Sequence, residues 1–261
     1  MDSLKFIAVG NSFSEDTLAH FHALAKSAGI ENVRVYNLYI GGCTIDRHVK
    51  NARGELGEYQ LQINTDGEWR YEDGVTLRDG LTREKWDFVS FQQMSSAAGM
   101  PETFDKLPEL VGYVRAIVGD EPEFVWNMTW AYSADFVGEE FELYGSDQLR
   151  MYSRIVSAAR KRVFAFEKIA EIVPVGTAIQ NARTSHLGDT MCRDTRHLSY
   201  DVGRYIAGLA MLAQIAELDP ADVPYMPDGV DAAVRTVAVE SVNNALCHPY
   251  EITQSQYKKR A

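Results

Sequence analysis

The sequence has few of the features that mark extracellular, metal-binding or membrane-spanning proteins. Its 261 residues include only three cysteines, Cys43, Cys192 and Cys247, and none of them forms a C-x-x-C pair. An odd number of cysteines without that spacing predicts neither a disulfide framework nor a zinc site. No apolar run in the sequence approaches the ~20 residues that a membrane-spanning helix needs. We therefore expect a protein with no metal, no other cofactor and no membrane partner.

Positive charge is also in deficit. The chain has 26 Lys and Arg residues against 37 Asp and Glu residues, a formal net charge of −11. Phosphate-rich surfaces repel such a chain, which argues against nucleic acid or an anionic membrane as its main partner. The amino terminus enters the first predicted strand without the charged segment and apolar stretch of a signal peptide. Unless such a peptide has been removed, we expect a cytoplasmic protein, and the sequence leaves open whether it forms a homo-oligomer.

The amino-terminal segment is a strand–turn–helix unit that lacks the familiar nucleotide-binding motifs. The apolar run Leu4–Val9 predicts a buried strand, Gly10-Asn11-Ser12 interrupts it, and helical spacing follows as far as Gly29. The segment has neither the G-x-G-x-x-G of dinucleotide folds nor the G-x-x-x-x-G-K-[ST] of phosphate loops. It also lacks the G-x-S-x-G nucleophile elbow. These absences disfavour a nucleotide-dependent or phosphotransfer enzyme.

Strands and helices alternate along the rest of the chain. Five segments have the composition of strands: Leu4–Val9, Val33–Tyr39, Trp86–Phe91, Glu123–Met128 and Glu171–Val175. Helical spacing is found over about 17–28, 103–118, 147–168, 200–218 and 230–246. This alternation predicts an α/β three-layer sandwich around a five-stranded, parallel, doubly wound sheet. We expect a single domain over residues 1–261.

Two segments lie outside this alternation. Residues from about 46 to 85 are polar, and within them Tyr59–Ile63, an Asp66-Gly67 turn and Trp69–Tyr71 predict a β-hairpin. We interpret this segment as a small insertion at the ligand-bearing edge of the sheet. Residues from about 220 to 261 add a carboxyl-terminal helix and a polar tail.

The carboxyl ends of the five predicted strands share one edge of the sheet, where open α/β sheets bind ligands. That edge collects Ser12, the Gly41-Gly42 pair, Gln92-Gln93, Trp130, and the loop with Asp194 and His197. A functional site is therefore predicted at this edge.

Ser12 also has a purely structural interpretation. With Glu15 three residues later it fits a capping box, and Ser14 would serve equally well as an N-cap. Such motifs are common and carry no chemistry. The convergence of polar groups at the same edge is what weakens the capping interpretation.

Serine, histidine and aspartate at this edge suit acyl transfer. A serine hydroxyl becomes nucleophilic when a histidine takes its proton, and a carboxylate holds that imidazole in one tautomer. Asp194 and His197 are three residues apart, close enough for their side chains to meet. The developing oxyanion needs hydrogen-bond donors. The N–H groups of Ser12 and Gly42 and the amide of a glutamine, Gln92 or Gln93, are candidates for that role.

These blocks resemble the SGNH (GDSL-type) hydrolases. The resemblance rests on Gly10-Asn11-Ser12 before a helix, the glycine after the second strand, the amide side chain after the third strand, and Asp194-x-x-His197. It spans about residues 5–218. Asn11 stands where the family usually has Asp, and glutamine replaces the usual Asn. The resemblance implies a flavodoxin-like fold and a catalytic Ser12, His197 and Asp194. Phe91-Gln92-Gln93 is similar to carbohydrate O-acetyl esterase branches, which favours Gln93 over Gln92 as the third oxyanion donor.

Three residues, Gln92, Trp130 and Cys43, are weaker candidates for substrate contact. Trp130 follows the fourth strand in a loop with Tyr132, and an aromatic ring there suits stacking on a sugar; Trp126, inside the strand, is more typical of a core. Cys43 lies beside the proposed oxyanion glycine. Because no base is assigned to it, we interpret Cys43 as a small buried residue near the pocket rather than a nucleophile.

The remaining histidines are poorer candidates for the base. His186 lies in the same loop as Asp194 but has no carboxylate at matching spacing. His20 and His22 diverge on a helix and are predicted to be surface or partly buried residues. His48 is interpreted as a solvated loop residue.

The sequence therefore predicts a serine esterase. The resemblance implies a small acyl group, most readily acetyl, carried by an oligosaccharide or another small-molecule alcohol. A lipase, thioesterase or arylesterase of the same fold is the alternative among enzymes. A non-catalytic carbohydrate-binding relative is the alternative from another class, and the presence of all three triad residues argues against it.

Overall fold

Seven strands form one mixed sheet in the computed structural model, which describes residues 1–166 and 168–258. The strands are β1 (Ser3–Gly10), β2 (Asn32–Tyr39), β3 (Tyr59–Asn64), β4 (Trp69–Val75), β5 (Phe88–Phe91), β6 (Glu123–Asn127) and β7 (Glu171–Val173). Their order across the sheet is β4-β3-β2-β1-β5-β6-β7. The predicted α/β class is confirmed, but the sheet has seven strands instead of five.

The two additional strands are the predicted hairpin. Strand β3 pairs antiparallel with β2, and β4 pairs antiparallel with β3, so the hairpin extends the sheet at one edge. The other five strands pair in parallel in the order β2-β1-β5-β6-β7. This is the flavodoxin-like order, in which the first strand lies at the switch point where ligands bind. The hairpin therefore lies on the side of β2 away from β1.

The first strand is central because its residues can be buried on both faces. Positions Phe6 to Val9 are apolar without interruption and each is at most 2% exposed. β1 pairs with β2 on one side and β5 on the other, as a continuous apolar strand in a parallel sheet does. Gly10 ends it, and a Cβ at this position would lie 2.2 Å from the Ser14 hydroxyl oxygen. A glycine is therefore required where the chain turns toward Ser12.

Ten α-helices accompany the strands in the described residues. They are α1 (Ser12–Leu18), α2 (Phe21–Ser27), α3 (Ile45–Gly54), α4 (Leu77–Leu81), α5 (Leu107–Val118), α6 (Glu139–Glu142), α7 (Gln148–Ala159), α8 (Val175–Arg183), α9 (Val202–Ile215) and α10 (Ala232–Cys247). The helix predicted over 147–168 becomes α7 followed by a π-helical turn at Arg160–Phe164, and residue 167 within that range lies outside the described residues. Across the described ranges, every helix is too short or too polar to cross a bilayer.

The predicted first helix is two helices, and its cap is neither serine. The side chain of Asn11 accepts the Phe13 N–H at 3.0 Å, which makes Asn11 the N-cap of α1. Ser12 is the first helical residue. Ser14 lies inside the helix, where its hydroxyl contacts the Asn37 side-chain oxygen at 2.8 Å. Both capping interpretations were therefore wrong, and the capping role belongs to the residue before Ser12.

Helix α8 was missed because the fifth predicted strand runs to Val175, which is the first residue of the helix. Gly176 is the second residue of α8, and a Cβ there would lie 2.2 Å from the Thr129 carbonyl oxygen. Close packing of the helix against the loop after β6 requires glycine at this position. Helix α3 was missed because most of its residues are polar, which hides the apolar spacing of its buried face.

His48 was predicted to be a solvated loop residue, but it lies in α3 and is 1% exposed. Its Nδ1 is 2.9 Å from the Tyr59 hydroxyl, and Nε2 has no partner among the described residues. Burial, helped by the charge of Arg47, lowers the pKa of His48 to about 3. The folded protein therefore keeps this imidazole neutral well below the pH at which an unfolded chain protonates it.

That difference predicts acid sensitivity. An unfolded histidine has a pKa of about 6.5, so the unfolded state binds the extra proton and stability falls as the pH drops below that value. At pH 5 the loss is roughly 2 kcal/mol. Urea unfolding at pH 8 and pH 5 should show wild type losing about that much more stability than His48→Gln. Because His20 and His22 are common to both proteins, parallel pH dependences would contradict the assignment to His48.

Candidate active site

Ser12 stands at the carboxyl end of β1 and the start of α1, at the predicted edge. Its Oγ lies 2.9 Å from Nε2 of His197, although 185 residues separate the two in the chain. The ring of Phe13 packs edge-on against the imidazole, with centroids 5.8 Å apart. The loop before α9 thus places a base within hydrogen-bond distance of the serine hydroxyl.

Asp194 holds the other side of the imidazole. Its Oδ2 lies 2.7 Å from His197 Nδ1, while Oδ1 accepts the backbone N–H groups of Arg196 at 3.1 Å and His197 at 2.6 Å. Thr195 between them has φ +65°, the left-handed conformation that closes this short turn. The three-residue spacing therefore produces a direct side-chain contact, with the carboxylate fixed by the backbone of its own loop.

The ionisation of Asp194 assigns the tautomer of His197. Partial burial opposes ionisation of this carboxyl, but the hydrogen bonds from His197 and Arg196 outweigh burial and lower its pKa to about 2. At neutral pH the carboxylate is charged and can only accept a hydrogen bond. Nδ1 of His197 therefore carries the proton, and Nε2 presents its lone pair to the hydroxyl of Ser12.

The two backbone N–H groups predicted to bind an oxyanion are unpaired within the described part of the chain. Among the described residues, the N–H groups of Ser12 and Gly42 have no acceptor. Gly42 has φ +60°, a conformation that favours glycine. The Asn11 side chain links the two segments, because its Nδ2 donates to the Cys43 carbonyl at 3.0 Å while its Oδ1 caps α1 through Phe13 N–H. Asn11 thereby holds the glycine loop next to the serine.

The structure does not support Gln93 as the third oxyanion donor. Gln93 is 1% exposed, and its Nε2 donates to the carbonyl and hydroxyl oxygens of Thr103 at 2.8 and 3.0 Å. Its Oε1 accepts the backbone N–H groups of Ile45 and Met94 at 3.1 and 2.9 Å. Both amide hydrogens are therefore used to brace the loops beside the site.

Gln92, predicted as a weak substrate contact, lies on the other side of the chain and is only 2% exposed, so that prediction is wrong. Its Nε2 donates to the Asn11 side-chain oxygen at 2.7 Å, and its Oε1 accepts from Asn127 at 3.1 Å. Alternation along the strand does send the two glutamines to different surroundings. Gln92 holds the side chain of Asn11, which caps α1, so its effect on the site is indirect.

Gln93→Ala distinguishes a structural role of this side chain, in holding the loops beside the site, from a role in binding the oxyanion. Removing the side chain leaves the N–H groups of Ile45 and Met94 without their acceptor, which costs about 1–3 kcal/mol for a buried donor. We expect a melting temperature several degrees lower and an activity loss smaller than the roughly 10²–10³-fold typical of a lost oxyanion donor. Thermal melts and turnover on a small ester measure both. A normal melt with a loss of that full size would restore Gln93 as a donor.

Trp130 and Cys43 are not substrate-contact residues. Trp130 is fully buried, stacks on Phe13 with ring centroids 4.1 Å apart, and donates its indole N–H to the Arg196 carbonyl at 2.9 Å. No face of this ring is open to a sugar, and the ring supports the loop that carries Asp194 and His197. Cys43 is likewise fully buried, and burial raises the pKa of its thiol to about 12. It is an inert packing residue behind Gly42.

The other histidines that were considered as the base have different hydrogen-bond partners. His186 contacts the backbone carbonyl of Tyr257 in the carboxyl-terminal segment. His20 Nε2 contacts the Tyr200 carbonyl at 2.9 Å, and burial lowers the pKa of His20 and of His22. Of these three imidazoles, none is hydrogen-bonded to Ser12 in the part of the chain that the structure describes.

The sequence interpretation missed Asp16, which is fully buried one turn after Ser12. Its carboxylate accepts from Arg193 Nη1 at 2.9 Å, from Arg204 Nε at 2.8 Å and from the Leu198 N–H at 2.8 Å. Arg193 precedes Asp194 and Leu198 follows His197. Asp16 therefore anchors both ends of the His197 loop to the helix that carries the serine. The available signal was an aspartate on the apolar side of α1, since a buried charge needs a partner.

Residues 5–245 match the family described as "Domain of unknown function (DUF4886)". No curated protein matches the chain. A crystal structure of a DUF4886 family protein from Bacteroides uniformis ATCC 8492 is 37% identical, covers 97% of this chain and 98% of that chain, and has a TM-score of 0.93.

Two other solved structures are more distant. A proposed acylhydrolase from Bacteroides fragilis NCTC 9343 is 16% identical over 81% of this chain and 85% of its own, with a TM-score of 0.46. A gut microbial diltiazem-metabolizing enzyme is 12% identical over 81% of this chain and 47% of its own, with a TM-score of 0.47. The family match and the Bacteroides uniformis structure decide membership: the chain belongs to the DUF4886 family.

Proposed function

We propose that this protein is a serine esterase that removes small acyl groups, of which acetyl is the first candidate, from a carbohydrate. The observation that carries the proposal is the continuous contact from the Ser12 hydroxyl through the His197 imidazole to the Asp194 carboxylate, at 2.9 and 2.7 Å. Those distances lie within the range for a nucleophile, its base and the group that orients the base.

The proposed reaction has two halves. Ser12 Oγ attacks the ester carbonyl carbon while its proton moves to His197 Nε2, and the N–H groups of Ser12 and Gly42 bind the oxyanion. The intermediate collapses when the C–O bond to the alcohol breaks and His197 returns the proton to the leaving oxygen. Water, deprotonated by the same nitrogen, then attacks the acyl-enzyme and releases the acid and free Ser12. Asp194 stabilises the imidazolium in each half.

The resemblance to SGNH hydrolases supports the same proposal from the sequence. Two motifs carry it: Gly10-Asn11-Ser12 at the carboxyl end of the first strand, and Asp194-x-x-His197 in the loop before α9. Asn11, where that family usually has Asp, supplies a cap oxygen to Phe13 and also a donor to the Cys43 carbonyl. An Asp could accept the first bond but not donate the second when ionised. The departure therefore suits the way this chain holds its glycine loop.

A panel of p-nitrophenyl esters from acetate to palmitate tests the activity. We expect hydrolysis fastest on acetate, and absent in Ser12→Ala. A fluorophosphonate should add one adduct mass to wild type and none to Ser12→Ala. The matched variant Ser14→Ala removes the neighbouring hydroxyl but keeps Ser12, so it should still be labelled. A preference for palmitate would favour a lipase of the same fold, and no hydrolysis together with no labelling would overturn the proposal.

A further inference from the structure

A cavity of about 330 Å³ opens one helical turn from Ser12, between α1, the β3–β4 hairpin and the segment around the triad loop. Its walls include Glu15, three residues after Ser12, and Arg193, the residue before Asp194. Tyr200, three residues after His197, forms another wall. Residues three apart share a helix face, so Glu15 places this cavity on the face of α1 that also carries Ser12.

Three aromatic side chains surround this cavity. Trp69 and Tyr71 alternate along β4 and therefore point to the same face of the sheet, and the Tyr71 side chain is 60% exposed. Tyr200 is 61% exposed, but its ring is held by the guanidinium groups of Arg193 and Arg204, 4.7 and 4.8 Å from its centroid. Tyr71 offers the most open ring, Trp69 beside it is half-buried, and Tyr200 is exposed around its arginine contacts. Aromatic rings of this kind can stack on the C–H face of a sugar.

Polar groups of both kinds line the same space. Arg193 donates to its described partners only through Nη1, and Arg204 only through Nε and Nη2, so each keeps N–H groups without an acceptor among the described residues. Opposite in character, Glu15 presents a carboxylate, of which Oε1 accepts from Gln62 at 2.9 Å. Vicinal hydroxyls both donate and accept hydrogen bonds, so free guanidinium donors and a carboxylate acceptor suit them together.

The charge and the size of the cavity favour a neutral monosaccharide ring. Arg193 and Arg204 are balanced by Asp16, which contacts both, and by Glu15. No net positive charge is left to select an anionic sugar. The volume lies at the lower end of the ~300–1,000 Å³ of small-molecule sites. Mostly polar walls and exposed rings suit a sugar better than a lipid chain.

We propose that this cavity binds the sugar ring that carries the ester, with Trp69, Tyr71 and Tyr200 as its stacking surface and Glu15 and the two arginines as its hydroxyl contacts. The proposal rests on the esterase function proposed above, since it places the alcohol half of the substrate beside the same serine. It also replaces Trp130, whose ring is buried, as the source of sugar stacking.

The test compares a sugar ester with an ester too small to reach the cavity. Wild type, Tyr71→Ala and Trp69→Ala are assayed on 6-O-acetylglucose and on ethyl acetate. We expect kcat/KM for 6-O-acetylglucose to fall about tenfold in each variant, the size of one lost aromatic contact, and kcat/KM for ethyl acetate to stay within about twofold of wild type. Phe164→Ala removes another exposed aromatic ring, one outside the cavity, and should change neither value.

A binding measurement is independent of turnover. Ser12→Ala titrated with 6-O-acetylglucose should show a tryptophan fluorescence change, since Trp86, Trp126 and Trp130 are buried and Trp69 alone of the four lines the cavity. The change should be lost in Ser12→Ala with Trp69→Phe.

The outcomes separate the two proposals. Ser12-dependent hydrolysis of ethyl acetate with no faster reaction on the sugar ester, or equal losses on both esters in the aromatic variants, would overturn the sugar site and leave the esterase. Fluorescence binding with no hydrolysis of either ester would keep the sugar site and remove the esterase. Absence of both binding and hydrolysis would overturn both.

Discussion

Ser12→Ala is expected to lower ester turnover by about 10⁴–10⁶-fold, the cost of removing the nucleophile from a serine triad. His197→Ala should cost about as much, because the Ser12 hydroxyl loses the imidazole nitrogen that lies 2.9 Å from it. Since the residues act as a unit, the double variant should be no slower than either single one. Turnover of p-nitrophenyl acetate by all three proteins measures this. A double variant slower by the product of the two single losses would contradict a shared mechanism.

Ser14→Ala is the matched control for Ser12→Ala. The Ser14 hydroxyl lies 2.7 Å from the Asn11 carbonyl oxygen and 2.8 Å from Asn37, inside a buried network. Its loss should destabilise the protein by about 1–2 kcal/mol, a few degrees in melting temperature, with turnover nearly unchanged. Asn11, and not Ser12, caps α1, so Ser12→Ala should melt within about two degrees of wild type. A destabilised Ser12→Ala that still hydrolyses esters at the wild-type rate would return Ser12 to a structural role.

The parts of the fold that could be predicted are those that local sequence determines. The uninterrupted apolar run at Phe6–Val9 predicts a strand buried on both faces, and its parallel pairing follows from the alternation of strands with helices. The hairpin was predicted too, but as an insertion at the ligand-bearing edge and not as two further strands of the sheet beside β2. Whether Tyr59–Asn64 pairs with β2 depends on which edge of the sheet is open, and that is decided only once the other strands have assembled. Gly176 shows the same limit, since its close contact with Thr129 exists only in the folded chain.

The candidate site also has features that the sequence predicts and features that it does not. The proximity of Asp194 and His197 follows from a three-residue spacing and a tight turn, and the meeting with Ser12 follows from the shared sheet edge. The choice among neighbouring side chains did not follow. Gln93 and Trp130 have the right chemistry for an oxyanion hole and a sugar platform, but partners distant in sequence, Thr103 and Phe13, occupy the groups that those roles need. A sequence shows which residues have the chemistry for a role. Whether their donors and ring faces are free for it depends on which other residues contact them in the folded chain.

Asp16→Ala is expected to be the most damaging substitution outside the triad. It removes the carboxylate shared by Arg193, Arg204 and the Leu198 N–H, and breaking a buried ion pair costs about 3–5 kcal/mol. The arginine side chains are 22% and 19% exposed, so water can partly replace the carboxylate and we expect about 3 kcal/mol. Urea unfolding at neutral pH measures this loss.

The same substitution should also affect catalysis through the position of His197. Leu198 follows the base directly, so losing its N–H bond to Asp16 frees one end of the triad loop. A displacement of about 1 Å can cost roughly 10²-fold in rate, and we expect that loss in turnover for Asp16→Ala, assayed well below its melting temperature. Asp16→Asn keeps one acceptor oxygen for Leu198 but not the charge. It should recover much of the rate while remaining destabilised, because rate depends on the loop position and stability on the charge. If Asp16→Asn and Asp16→Ala lost the same activity, the anchor would act through charge alone and not through the Leu198 bond.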